Sequence, residues 1–186
     1  MITKTRRFIP FFIFHFYHTP DLKPGQVVRS HVRLLDASPL SDGAAAVVLT
    51  SNPNLADLAG RGTRVQLAGS GAASDILAIR ARPEPLHLEA VGVSFEKAIK
   101  MAKVDKKDID VLELHDAYTI MACLSLESNG IVPRGEGVRF AADGGLGLKG
   151  AMPISTFGGL KARGHPVGAS GIYQVLFACI LQRNIV

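Results

Sequence analysis

A chain of 186 residues with 47% hydrophobic and 20% charged residues can bury a sizeable core and does not have the composition of a disordered segment. The formal net charge of +5, with only 6% aromatic residues and no aromatic-basic interleaving, argues against a nucleic-acid binder; it suits an anionic ligand such as a nucleotide-bearing thioester. Cys123 and Cys179, the two cysteines, lie in apolar surroundings without disulfide or zinc spacing, which predicts packing roles, no metal site and a reducing cytoplasm.

Residues 3–7 are basic and residues 8–17 nearly all apolar and aromatic, imitating a signal peptide. A small-residue cleavage site is missing, His15 and His18 interrupt the run, and it is too short to span a bilayer as a helix. A strand-like start, or a start left by truncation, is expected instead, with no membrane partner. Residues 21–26 read as a loop and residues 37–43 as a turn rich in breakers. Residues 44–50 are small, apolar and β-prone, which predicts a buried strand. A short helix over 52–62 and a strand over 64–68 follow, then a glycine-rich loop over 69–73. Leu88, Val91, Phe95, Ile99 and Ala102 recur at helical spacing, predicting a helix over 86–102. Residues 108–114 read as a strand. Residues 117–128 read as a helix closed by Asn129-Gly130. A glycine-rich surface excursion over 135–150, a short strand over 153–156 and a final helix over 171–182 complete the pattern. Strands alternating with helices predict an α/β fold. Both ends look cut, which suggests part of a larger α/β protein or a divergent half-sized one.

Two segments carry chemistry. Residues 164–171, GHPVGASG, place His165 on a stiff corner between Gly164 and Pro166, just before a helix. A helix N-terminus disfavours imidazolium, so His165 is a candidate general base. Residues 113–119, ELHDAYT, lie where a strand ends and a helix begins, the place where ligands gather in α/β folds. His115 there is suited to hydrogen-bond an oxygen that gains negative charge. Asp116 reads as the N-cap of the following helix or as a group that orients a histidine.

Together with residues 37–49 (ASPLSDGAAAVVL) and residues 153–171 (PISTFGGLKARGHPVGASG), that second segment resembles the thiolases, enzymes that make or break the carbon–carbon bond of 3-oxoacyl-CoA. The likeness is to the archaeal and sterol-carrier-protein type and runs over residues 28–182. It implies a layered α/β/α thiolase fold that is incomplete here. Residues 1–26 match nothing in the family. Residues 27–62 correspond to the end of the N-terminal half, and residues 63–186 to the C-terminal domain cut before its Cys-x-Gly hairpin.

The resemblance implies that His165 takes the proton of a nucleophilic cysteine and that His115 holds the thioester oxyanion. It implies that Ser38 touches the pantetheine arm of CoA, that Tyr118 lines the acyl pocket, and that Gly158, Gly159 and Gly168 lie close to the substrate. No cofactor is implied, CoA thioester being a substrate. The partners it implies are acyl-CoA or CoA and, in the intact protein, further copies of the chain. Neither Cys123 nor Cys179 has the context of the family's nucleophile, and Ala117 stands where some relatives carry a second cysteine. The isolated chain is therefore expected to be inactive in acyl transfer. Two other readings stay open: a non-catalytic subunit that binds acyl-CoA or a catalytic partner, and a retro-aldolase of the same fold that works with a small zinc-and-OB-fold partner protein.

Overall fold

The computed structural model describes residues 7–8, 27–29, 32–52, 54 and 65–184. Four short strands occur among them: β1 (Arg7–Phe8), β2 (Val27–Arg29), β3 (Val32–Arg33) and β4 (Gln66–Leu67). β1 and β4 pair in parallel with Arg7 opposite Gln66, and β2 and β3 pair antiparallel. Five helices follow: α1 (Glu89–Ala102), α2 (Thr119–Ser128), α3 (Gly137–Ala142), α4 (Gly159–Arg163) and α5 (Ser170–Asn184). No helix among the described residues is long and apolar enough to cross a membrane.

The predicted helical stripe is real. α1 buries Phe95, Ala98, Ile99 and Ala102, and packs against α2, which packs in turn against α3. α1 begins later than the periodicity predicts, at Glu89, because Leu88 is its N-cap, with its backbone N–H on Ser128 Oγ at 2.9 Å. α2 closes as expected: Asn129 is its C-cap, and Gly130, at φ +64°, takes the left-handed position that ends a helix cheaply.

Beneath α2 lies one apolar cluster of Leu112, Leu114, Ala122, Leu126, Val132, Leu146, Met152 and Ile154. Leu114 and Leu126 are wholly buried, each worth roughly 1.5–3 kcal/mol of transfer free energy. Leu112 and Ile154 form a parallel bridge, with Leu112 N–H on Pro153 O at 3.0 Å and Ser155 N–H on Leu112 O at 2.7 Å. The strands predicted over 108–114 and 153–156 are reduced to this bridge, and Asp108 ends a 3-10 turn (Lys106–Asp108). The two extended segments nevertheless run side by side, so their carboxyl ends emerge together.

Two expectations fail. Residues 44–50 form no hydrogen-bonded strand and are largely exposed, Val48 at 94%. A β-prone sequence needs a ladder partner to satisfy its backbone, and no described strand pairs with this one. Residues 135–150 are not only a surface excursion: they contain α3 and deliver Leu146 to the core. The chain folds back tightly because Gly145 passes over Phe140, where a Cβ would sit 2.6 Å from the ring. The helix predicted over 52–62 lies outside the described residues except at 52 and 54, and the loop over 21–26 lies wholly outside them.

Candidate active site

Both histidine-bearing segments arrive at the carboxyl ends of the bridged pair. A third segment stitches them together. Ala37 bridges Tyr118 and Leu40 bridges His165, with Ser38 N–H on Ala117 O and His165 N–H on Pro39 O, both at 2.9 Å. The turn over 37–43 thus fixes the backbone of both boxes at once. Gly43 packs where a Cβ would meet Pro166 at 2.9 Å.

The rings of His115 and His165 meet edge to face, 4.8 Å between centroids and 79° between planes. His165 is buried and His115 half-buried. Burial pushes the His115 imidazole down to about 4, aided by His165 once that ring is protonated and by the Arg163 guanidinium. Burial also lowers His165, followed by Arg163, with Asp116 pulling the other way. Among the causes acting on each ring, desolvation is the largest. At neutral pH both rings are uncharged, each with one donor and one acceptor nitrogen.

Asp116 does not cap the following helix, whose N-cap is Tyr118. Its carboxylate instead crosses to α4, accepting the N–H of Leu160 at 2.6 Å and of Lys161 at 3.3 Å. Those are the second and third residues of α4, the donors an N-cap side chain normally takes. The N-cap of α4 is Gly158, which has no side chain, so Asp116 supplies the cap from 42 positions away in sequence, as the numbering of the two residues gives. Gly158 and Gly159 have φ of +91° and +65°, a turn that L side chains resist. A Cβ on Gly159 would sit 2.7 Å from Asp116 Cγ. The need for glycine at 159 thus has a local cause, whatever approaches from outside.

Four further residues shape the site: Glu113, Arg163 and Gln174 carry no role in the sequence reading, and Ser170 enters it only within the 164–171 segment. Ser170 Oγ lies 2.7 Å from His165 Nδ1. Gln174, one turn further along α5, donates through Nε2 to the carbonyl of Leu114, directly before His115. Arg163 donates to the carbonyls of Gly164 and Ser170 at 3.2 and 3.5 Å and stacks over Tyr173. Buried Glu113 accepts Thr156 N–H at 3.1 Å, and burial raises its carboxyl to about 7. A carboxyl set between Leu112 and Leu114 is the one sequence signal that marks Glu113; the contacts of the other three become visible only in the structure.

Among the remaining candidates, Ser38 and Gly158 are half-buried, Tyr118 is half-exposed beside the bridge, and Gly168 is exposed with no heavy atom within 4 Å of a Cβ position. Cys123 is buried and its thiol is pushed up to about 12 by desolvation and the nearby Glu127, so it is not an available thiolate. No cluster of three His, Cys, Asp or Glu suited to a metal occurs among the described residues. A groove of about 680 Å³ lined by His87, Val93, Lys97, Lys100 and Ser128 shares no residue with this site.

Residues 71–182 match the family described as thiolase C-terminal domain-like. The chain is 43% identical to an acetyl-CoA acetyltransferase of Methanothermobacter thermautotrophicus over 80% of this chain and 38% of that protein. It is 32% identical to the benzoylsuccinyl-CoA thiolase subunit BbsB of Thauera aromatica over 86% of this chain and 41% of that protein. A solved structure, the Ltp2-ChsH2(DUF35) aldolase, superposes with a TM-score of 0.56 at 26% identity, covering 62% of this chain and 30% of its own. The chain spans about two fifths of the length of these two curated relatives.

Proposed function

Because this chain belongs to the thiolase C-terminal domain-like family, we propose that it supplies the base and the oxyanion-binding imidazole of a thiolase-type acyltransferase acting on acyl-CoA. The observation that carries the reading is the pair of uncharged imidazoles, His115 and His165, held edge to face at 4.8 Å.

His165 accepts the proton of a cysteine thiol, whose unaided pKa of about 8.5 leaves little thiolate at neutral pH. The thiolate attacks the thioester carbonyl, and its oxygen gains negative charge. His115 donates an N–H to that oxygen. Collapse breaks the bond to sulfur, and the CoA thiolate leaves with the proton from His165. In the condensing direction the α-carbanion of a second acyl-CoA then takes the acyl group from cysteine. In the degradative direction the thiolate attacks the 3-oxo carbonyl instead, the carbon–carbon bond breaks, the α-carbon of the departing acyl-CoA takes up a proton, and the thiol of free CoA then takes the acyl group, leaving its proton on His165. The nucleophile is not Cys123, whose thiol is too hard to ionise. Ser38 and Tyr118 border the pantetheine and acyl paths, and Gly158, Gly159 and Gly168 give the substrate close approach to backbone. The intact enzyme works as an oligomer in the reducing cytoplasm.

Acetyl-CoA titrated into the 186-residue chain tests this reading. Saturable binding that moves the imidazole NMR signals of His115 and His165 supports it; no shift at millimolar acetyl-CoA overturns it. The aldolase named among the similar structures favours a second reading, carbon–carbon cleavage of a 3-hydroxyacyl-CoA by the same two histidines without an acyl-enzyme. Release of an aldehyde or ketone from such a substrate, with no acylated cysteine, distinguishes it.

A further inference from the structure

Ser170 and Gln174 lie one helical turn apart on α5 and face the two histidine segments. Gln174 holds the carbonyl that precedes His115, while Ser170 holds the ring of His165 itself. Both polar side chains are almost wholly buried, Ser170 at 1% and Gln174 at 3% exposure, where a wasted hydrogen bond is costly. We propose that Ser170 is a positioning residue that fixes the tautomer of His165, keeping the proton on Nδ1 and leaving the lone pair of Nε2 for the site.

The Ser170 hydroxyl has one hydrogen and two neighbours, His165 Nδ1 at 2.7 Å and the Pro166 carbonyl at 3.4 Å. If Nδ1 carries a hydrogen, it donates to Oγ and the hydroxyl donates onward to Pro166, so both contacts are used. If Nδ1 is bare, the hydroxyl must donate to it, the Pro166 contact holds no hydrogen, and the imidazole proton moves to Nε2. The first arrangement makes one more hydrogen bond, to a carbonyl that also accepts the N–H groups of Ala169 and Ser170 at 2.7 and 3.0 Å, and Ser170 is too deeply buried to find that partner in water. The backbone on both sides of the contact is fixed, His165 N–H by Pro39 O at 2.9 Å and Ser170 by its place at the start of α5.

The role of Nε2 as a base rests on the acyl-transfer reading; the tautomer does not. The test is a long-range ¹H–¹⁵N correlation spectrum of ¹⁵N-histidine-labelled chain at pH 7.5, with His165 assigned by loss of its signals in His165→Gln. The wild type is expected to show His165 as the Nδ1–H tautomer. Ser170→Ala is expected to convert it largely to Nε2–H, and Ser170→Thr, which restores a hydroxyl, to return it. An Nε2–H pattern in the wild type overturns the proposal without any variant. So does an unchanged Nδ1–H pattern in Ser170→Ala with native backbone signals. Adding acetyl-CoA to the same sample separates the two readings. An Nδ1–H tautomer with no response to acetyl-CoA sinks the acyltransferase and leaves this inference standing.

Discussion

Replacing Gly159 with alanine tests whether this glycine exists to admit the Asp116 carboxylate. Two costs add. At φ +65° a residue with a Cβ is in the left-handed region, at a penalty of roughly 1–2 kcal/mol. The new methyl would also lie 2.7 Å from Asp116 Cγ and must push the carboxylate away, an overpacking penalty of roughly 1–3 kcal/mol. Asp116 cannot yield freely, since Leu160 and Lys161 N–H both hold it. The loss of glycine entropy from the unfolded chain returns about 0.4–1 kcal/mol. The net expectation is a destabilisation of about 2–4 kcal/mol, read by urea unfolding followed by circular dichroism. Gly168→Ala is the control: that glycine lacks a positive φ and has no heavy atom within 4 Å of its Cβ position. It should stay within about 0.5 kcal/mol of wild type. Equal midpoints for the two variants would show that the reasoning about Asp116 is wrong.

Glu113→Gln probes the buried carboxyl. Its folded value of about 7 stands above an ordinary 4.5, so the folded state binds the extra proton and Glu113 costs stability as pH rises from about 4.5 to 7. His115, lowered from 6.5 to about 4, has the opposite sign: its contribution is lost as pH falls through that window. Asp116 adds to the first effect and His165 to the second. The glutamine variant keeps an acceptor for Thr156 and removes the carboxyl limb, so it should gain on the order of 3 kcal/mol over wild type at pH 8 and little at pH 4.5. A pH-independent difference between the two proteins would contradict the assignment. For the cysteines, a thiol at about 12 holds on the order of 10³-fold less thiolate at pH 8 than a free cysteine. Mass spectrometry after iodoacetamide should therefore find Cys179 alkylated first and Cys123 only after unfolding. Rapid labelling of Cys123 in the folded chain would refute its burial.

What the residues alone determined is the local grammar. Helical periodicity located α1, the Asn129-Gly130 pair ended α2, and the Gly158-Gly159 and Gly164-His165-Pro166 corners announced turns, because each depends on sterics within a few residues. The Gly-His-Pro corner and the strand-end box marked the two histidines, and the resemblance of three segments to the thiolases named the family. Strands read from apolar runs fared worse: residues 44–50 are unpaired and residues 108–114 keep one bridge, since a strand needs a partner far along the chain. Only the tertiary structure decided that Asp116 caps α4 rather than its own helix, and that burial lowers both imidazoles. It alone brought Ser170 to His165 and Gln174 to the backbone before His115. Hydrogen bonds and desolvation depend on separation in space, and residues 44 or 60 positions apart carry no mark of their distance in the order of the letters.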